Sequence, residues 1–160
     1  MADRASGLVL RPMSQEEYVV WREASERGYA EDIAVSRDLD PAAAEAASRG
    51  EFAELLPDGL ASAGMHLFTA VVGDEPVGIG WFELRERASG TSAWIFDIRL
   101  DEDRRGQGLG RALLEALHDA ARDRGATTMT LNVFGDNPTA IRLYESSGYT
   151  VTAQQMKRDL

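Results

Sequence analysis

The chain reads as a mixed α/β fold, which some schemes class as α+β, built around one mostly antiparallel sheet in the order β-α-α-β-β-β-α-β-α-β. Three observations predict this. Apolar runs of strand length crowd residues 66–100, separated only by turn residues. A helical period then begins at Leu109 and ends at Gly125. A further strand and helix follow over 128–148, so a hairpin meander gives way to a β-α-β crossover. The 160 residues suit a single domain spanning 1–160.

Each element has a local cause. Leu8-Val9-Leu10-Arg11-Pro12 is a short strand stopped by proline. Ser14-Gln15-Glu16-Glu17 has the form of a capping box, so a helix follows through Tyr18, Trp21 and Ala24. Asp40-Pro41 pairs an N-cap with proline at the first helical position and opens an alanine-rich helix over roughly 41–55, broken at Leu56-Pro57-Asp58-Gly59. Residues 66–72 and 77–84 flank the turn Gly73-Asp74-Glu75-Pro76 as a hairpin. Residues 85–90 form a polar loop, and 92–100 form the third strand of the meander. Leu109, Leu113, Ala116, Leu117, Ala120 and Ala121 share one helix face. Residues 128–134 form a strand, Asn137-Pro138 caps a helix ended by Gly148, and Thr150 to Met156 closes the sheet as a final strand.

Composition excludes several function classes. The absence of cysteine removes disulfides, thiolate metal sites and a cysteine nucleophile together. With only two histidines, His66 and His118, no metal site is expected. Apolar runs fall far short of the ~20 residues of a membrane helix, and residues 1–7 lack the apolar stretch of a signal peptide. The expectation is a soluble cytoplasmic protein. Acids outnumber bases 27 to 17, and the excess is uneven: residues 1–90 hold 17 acids and 8 bases, residues 91–160 hold 10 and 9. Such a body repels phosphate, so neither nucleic acid nor an anionic membrane is an expected partner. A cationic small molecule or basic peptide would suit it.

The chemistry concentrates at Arg104-Arg105-Gly106-Gln107-Gly108-Leu109-Gly110-Arg111, between a strand and a helix. Alternating glycines let the backbone approach a ligand closely, and a helix N-terminus offers unpaired N–H groups to a pyrophosphate. The nucleotide P-loop needs a Lys-Ser/Thr pair, absent here. The dinucleotide fingerprint needs glycine where Arg111 stands. What fits is Arg-x-x-Gly-x-Gly at Arg105, Gly108 and Gly110; alone, such a connection also serves as a plain structural turn.

Downstream, Asn137-x-x-Ala140-x-x-Leu143-Tyr144-x-x-x-Gly148-Tyr149 completes a second motif. With both in this order, the chain resembles the GNAT superfamily of N-acetyltransferases over about residues 66–156. The resemblance implies splayed central parallel strands holding the arm of acetyl-CoA. It implies main-chain contacts from Ile98, Arg99 and Leu100, and a pyrophosphate cradle of Arg105, Gly106, Gln107, Gly108, Leu109, Gly110 and Arg111. Asn137 would touch the cofactor arm. Tyr144 would protonate the leaving thiolate, a role suited to a phenol that stays protonated at neutral pH. Some relatives carry a glutamate base where this chain has Asn132, which takes no proton. The candidates for the base are then Asp97 and Glu83, with Glu31 and Asp32 further off. The acceptor would sit near Tyr29, Glu31, Asp32 and Trp81, with Trp21, Phe52, Phe82 and Trp94 close by.

The implied activity is transfer of acetyl from acetyl-CoA directly to a primary amine of a small molecule or peptide, through a ternary complex because no cysteine can carry the acyl group. A lysine amine costs about 4 kcal/mol to deprotonate at neutral pH and an α-amino group well under ~1, which favours an amine of lowered pKa. The alternative is a non-catalytic acyl-CoA-binding module that keeps the loop without the proton-handling groups. The resemblance leaves a homodimer open.

Overall fold

A computed structural model describes residues 7–160; the expectations that fall on residues 1–6 lie outside it. Five strands form one sheet in the order β1-β2-β3-β4-β5: β1 Leu8–Pro12, β2 Met65–Val72, β3 Glu75–Arg87, β4 Gly90–Leu100 and β5 Ala126–Leu131. The first four are antiparallel neighbours, and β4 and β5 run parallel. The helices are α1 Gln15–Ser36, α2 Pro41–Leu55, α3 Leu109–Arg122 and α4 Pro138–Ser146.

The sheet is covered on both faces, which is why its strands read as nearly continuous apolar runs. Successive residues go to opposite sides. Phe68 and Phe82 pack with Leu113, Leu114 and Leu117 of α3, while Leu67 and Trp81 pack with Tyr18 and Trp21 of α1 and Phe52 of α2. Each fully buried leucine on α3 contributes about 1.5–3 kcal/mol of transfer free energy.

The capping box at Ser14 forms in both directions, and Glu17 does more than cap. Its carboxylate accepts two hydrogen bonds from Arg11 at 2.7 and 2.8 Å, one from the Ser14 N–H at 2.9 Å and one from the Thr69 hydroxyl at 2.8 Å. One side chain thereby ties β1, β2 and the start of α1 together.

Several boundaries differ from the sequence reading. The supposed polar loop over 85–90 is mostly strand, because β3 and β4 stay paired out to Arg87 and Gly90. β5 stops at Leu131 rather than running to 134. The expected closing strand over Thr150 to Met156 does not form: no element follows α4, and residues 150–160 are exposed throughout. A strand exists only against a hydrogen-bonded neighbour, and this segment has none among the described residues; its β-branched composition sets a preference without supplying an edge.

Gly78 and Gly50 make opposite predictions. A Cβ on Gly78 would lie 2.3 Å from the backbone oxygen of Arg99, whereas one on Gly50, inside α2, meets nothing within 4 Å. Gly78→Ala lowers stability by about 1–3 kcal/mol, and Gly50→Ala raises it by up to ~1 kcal/mol; urea denaturation followed by circular dichroism reads both. A second prediction concerns acid. Arg11 holds the Glu17 carboxyl at about 2, well below the ordinary glutamate range. Its contribution is complete above the ordinary value and is lost as pH falls toward 2. Urea midpoints measured between pH 5 and 2 therefore fall less steeply in Glu17→Gln than in the parent chain.

Candidate functional site

The site begins where two strands part. β4 and β5 pair from Thr91 to Ile95 on one side and from Ala126 to Leu131 on the other, and no further. Beyond that point β4 continues to Leu100 against β3 alone, and the chain after Leu131 turns away toward α4. A gap opens between the parallel strands, with one edge of 96–100 facing it and without a strand partner on that side. A cavity of about 170 Å³ lies there, lined by Phe96, Asp97 and Ile98 of β4, by Asn132 and Asn137 of the departing chain, and by Tyr144 of α4.

A second cavity, about 440 Å³, lies on the α1–α2 side of the sheet. Its walls are Ser25, Gly28, Tyr29 and Asp32 of α1, Glu51 and Phe52 of α2, Trp81 of β3, and Phe96, Asp97 and Arg99 of β4. The α1 residues recur at helical spacing on one face. Gly28 leaves room where a larger side chain would intrude, since its Cβ would meet nothing within 4 Å.

Phe96 and Asp97 line both cavities. A bulge explains how. The register with β3 steps from Trp81 opposite Asp97 to Phe82 opposite Ile95, so Phe96 is an extra residue. A bulge bends the strand and re-aims its side chains, here at the junction of the two spaces.

The Asp97 side chain is 19% exposed. Its carboxylate accepts a hydrogen bond from the Trp21 indole at 3.3 Å and pairs with Arg99 at 3.0 Å. Burial pushes its pKa up; Arg99 and Trp21 pull in the other direction without cancelling that. Arg99 is itself held by the Ser25 hydroxyl at 2.9 Å. The Tyr144 phenol is also raised, first by burial and then by the negative charge of Asp97. Its hydroxyl has no hydrogen-bond partner among the described residues. The pair therefore combines a carboxylate that can take a proton with a phenol that keeps its own at neutral pH.

The glycine loop has the backbone its sequence suggests. Gly106 and Gly108 adopt left-handed conformations, with φ of 73° and 77°. Gly108 is the N-cap of α3 and supplies no side-chain cap, so the first-turn N–H groups remain available to an anion. Arg105 is exposed, with no side-chain partner among the described residues. Gln107 folds back onto the Asp103 carbonyl at 3.1 Å, and Leu109 is buried. Gly110 passes close to Leu100 and Leu143. Arg111, one of the expected cradle residues, donates to the Ser146 and Ser147 hydroxyls at 2.6 and 3.0 Å, bracing α3 against the end of α4. Asn137 caps α4 by accepting from the Ala140 N–H at 3.1 Å while also lining the first cavity.

Of the sequence-predicted acceptor residues, the second cavity gathers Tyr29, Asp32 and Trp81. Tyr29 donates to Glu51 at 2.5 Å and accepts from Arg37 at 2.9 Å. Two carboxylates are not brought in. Glu83 lines neither cavity and is held by Arg85 at 2.6 Å, and Glu31 lies on an exposed part of α1. The bulge sends the β3–β4 acids to the two cavities unequally, so spacing along the strand did not separate Asp97 from Glu83. Sequence reasoning missed Ser25, Glu51 and the side chain of Arg99. The step of four from Trp21 to Ser25, continuing to Tyr29 and Asp32, was the signal for Ser25; Glu51 and Arg99 had none.

The family model of the acetyltransferase (GNAT) family matches residues 32–149. The chain belongs to the GNAT acetyltransferase family. It is 32% identical over 154 residues to the uncharacterized N-acetyltransferase YycN of Bacillus subtilis, covering 96% of this chain and 99% of that one. The crystal structure of YycN superposes with a TM-score of 0.87 over 96% of this chain and 98% of that one. Over 57 residues, 36% of this chain and 38% of the relative, the GNAT chain is 51% identical to the Escherichia coli [ribosomal protein bS18]-alanine N-acetyltransferase. GNAT membership and these relatives make it an acetyltransferase of a family that generally uses acetyl-CoA. Among the described residues no helix is long and apolar enough to cross a membrane.

Trp21 and Arg99 both favour the charged form of Asp97, so removing either raises its pKa further. In Trp21→Phe and Arg99→Gln, carbon-13 NMR titration of the aspartate side chains shows one carboxyl moving to higher pH, more in Arg99→Gln because the full charge is lost.

Proposed function

We propose that this GNAT chain moves acetyl from acetyl-CoA directly to a primary amine, with Asp97 as the general base and Tyr144 as the general acid. One observation carries the reading: Asp97 stands in the wall shared by the two cavities, and Tyr144 faces the first of them. The left-handed glycines, the uncapped start of α3 and the unpaired edge of 96–100 fit a diphosphate and an extended amide-bearing arm. When bound, acetyl-CoA supplies the acyl group as an activated thioester.

The residues of the chain then divide the proton work. Gly106, Gly108 and the first turn of α3 hold the diphosphate, and Arg105 adds charge. Main-chain groups of 98–100 hold the arm and orient the thioester. Asp97 accepts the proton that the amine must lose; Tyr144 gives one to the sulfur that departs. Burial sets both groups in the useful direction, a more basic carboxylate and a phenol that stays protonated. No cysteine is available to carry the acyl group, which supports a ternary complex.

The acceptor occupies the second cavity. Asp32 has no ion-pair partner among the described residues, whereas Glu51 is neutralised by Arg37. Together with the ring of Tyr29 and the acidic excess of the N-terminal half, this supports a cationic amine on a small molecule or peptide. The local likeness to an enzyme named for the alanine of a ribosomal protein supports an α-amino group as one such acceptor.

Thiol release from acetyl-CoA, measured over polyamines, aminoglycoside-like amines and peptides, tests the reading. Tyr144→Phe and Asp97→Asn each lower kcat by roughly 10²-fold or more. The acid limb of kcat/KM lies above the ordinary carboxylate range and disappears in Asp97→Asn. Initial velocities converge as a sequential mechanism requires. Unchanged turnover in both variants removes the proton roles, and thiol release that no amine stimulates returns the chain to a binding module.

A further inference from the structure

The guanidinium of Arg99 is built for more than neutralising Asp97. Side chains two apart on a strand share a face, so Arg99 and Asp97 both lie on the α1–α2 side of β4, and both line the second cavity. Nη2 of Arg99 is pinned twice, by the Asp97 carboxylate at 3.0 Å and by the Ser25 hydroxyl of α1 at 2.9 Å. Nη1 and Nε have no partner among the described residues, and the side chain is 49% exposed. Neutralising a carboxylate needs a charge nearby; it does not need a clamp from a second element. The clamp fixes the guanidinium by one nitrogen and leaves its other donors to the cavity. A proton acceptor and a set of N–H donors thus stand side by side in one wall. An aminoacyl group carries the complement, since its amine nitrogen and carbonyl oxygen lie on adjacent carbons, about 3 Å apart. Seven residues past Ser25, about 10 Å along α1, the same cavity is lined by Asp32, which has no ion-pair partner among the described residues.

We infer that the Arg99 side chain binds the carbonyl oxygen on the carbon next to the amine, so that the acceptor is an α-amino compound with a basic side chain, as a free amino acid or as the first residue of a peptide. This rests on the reading of the second cavity as the acceptor site and goes further, because a diamine or polyamine offers that cavity cations alone. Three contacts surround one carbon of the acceptor: its amine meets Asp97, its carbonyl meets Arg99 and its side-chain cation meets Asp32. A tetrahedral carbon held at three points is read for handedness. Residue 99 divides its work between the two spaces, with its main chain on the open edge beside β5 and its side chain in the second cavity. Ser25 is the positioning residue that aims the guanidinium.

The test compares the two enantiomers of lysinamide, whose amines have identical basicity, with cadaverine, which is the same molecule without the carbonyl group. Lysine and a peptide beginning with lysine separate a free carboxylate from a chain terminus. Thiol release from acetyl-CoA gives kcat/KM, and calorimetry on the chain saturated with CoA gives binding without chemistry. In the parent chain one enantiomer exceeds the other by roughly 10-fold or more, the worth of one hydrogen bond to a charged group, and its product carries acetyl on the α-nitrogen. Arg99→Gln brings the enantiomers together and costs the preferred one roughly 10-fold more than it costs cadaverine. Trp21→Phe also disturbs Asp97 but leaves Arg99 in place, so it changes all compounds by a common factor and keeps the preference for one hand. Enantiomers handled equally by the parent chain overturn the inference, whatever the variants do. A common loss on every compound in Arg99→Gln overturns it too, since Arg99 then acts only through Asp97. Binding that is selective for one hand and dependent on Arg99, with no transfer to any compound, removes the proton roles of Asp97 and Tyr144 and upholds the inference. Neither transfer nor selective binding overturns both.

Discussion

Hydrogen bonds between β4 and β5 that stop at Ile95 and Leu131 govern everything else in this molecule. Had the pairing continued, the backbone of 96–100 would be satisfied on both sides and the sheet would be closed. Because it ends, main-chain groups that must be paired somewhere face a gap. The same parting swings the chain after Leu131 across to α4 and brings Tyr144 opposite β4. The cleft, the open backbone edge of 96–100 and the placement of the phenol are consequences of one interrupted ladder.

The bulge at Phe96 is the second half of the device. It adds one residue to β4 next to the point where the strands part, so Asp97 stands between the spaces on the two sides. Its environment is balanced rather than neutralising. Burial opposes its charge, while Arg99 and the Trp21 indole support it. For the proposed base role, a fully exposed carboxylate would be a weaker base, and one more fully satisfied by partners would hold a proton less readily. The two positioning groups come from different layers, since Trp21 belongs to α1 and is packed edge-on against Trp81 at 5.4 Å. The integrity of the α1–sheet core is thereby coupled to the state of one acid.

Most of the architecture was legible locally. The capping box at Ser14, the Asp40-Pro41 start of α2 and the Asn137-Pro138 start of α4 each use a side chain or ring to satisfy or remove an end N–H, and each element begins where that chemistry places it. The closing strand over 150–156 was a local preference without a partner and went unrealised within the chain. The sequence shows the charge of Arg111 but not the two serines, 35 and 36 residues away, that engage it.

By itself the sequence determined the order of helices and strands as far as α4, the glycine loop ahead of α3 and the phenol on α4, because capping, periodicity and glycine's freedom act over a few residues. Which acid stands at the junction of the two cavities was decided by tertiary structure alone. Asp97 and Glu83 are both strand carboxylates beside an arginine two residues away, and only the parting of β4 from β5 and the packing of α1 bury one at the junction of two cavities and leave the other outside both. Desolvation and long-range contacts set that difference, and neither is written in neighbouring residues.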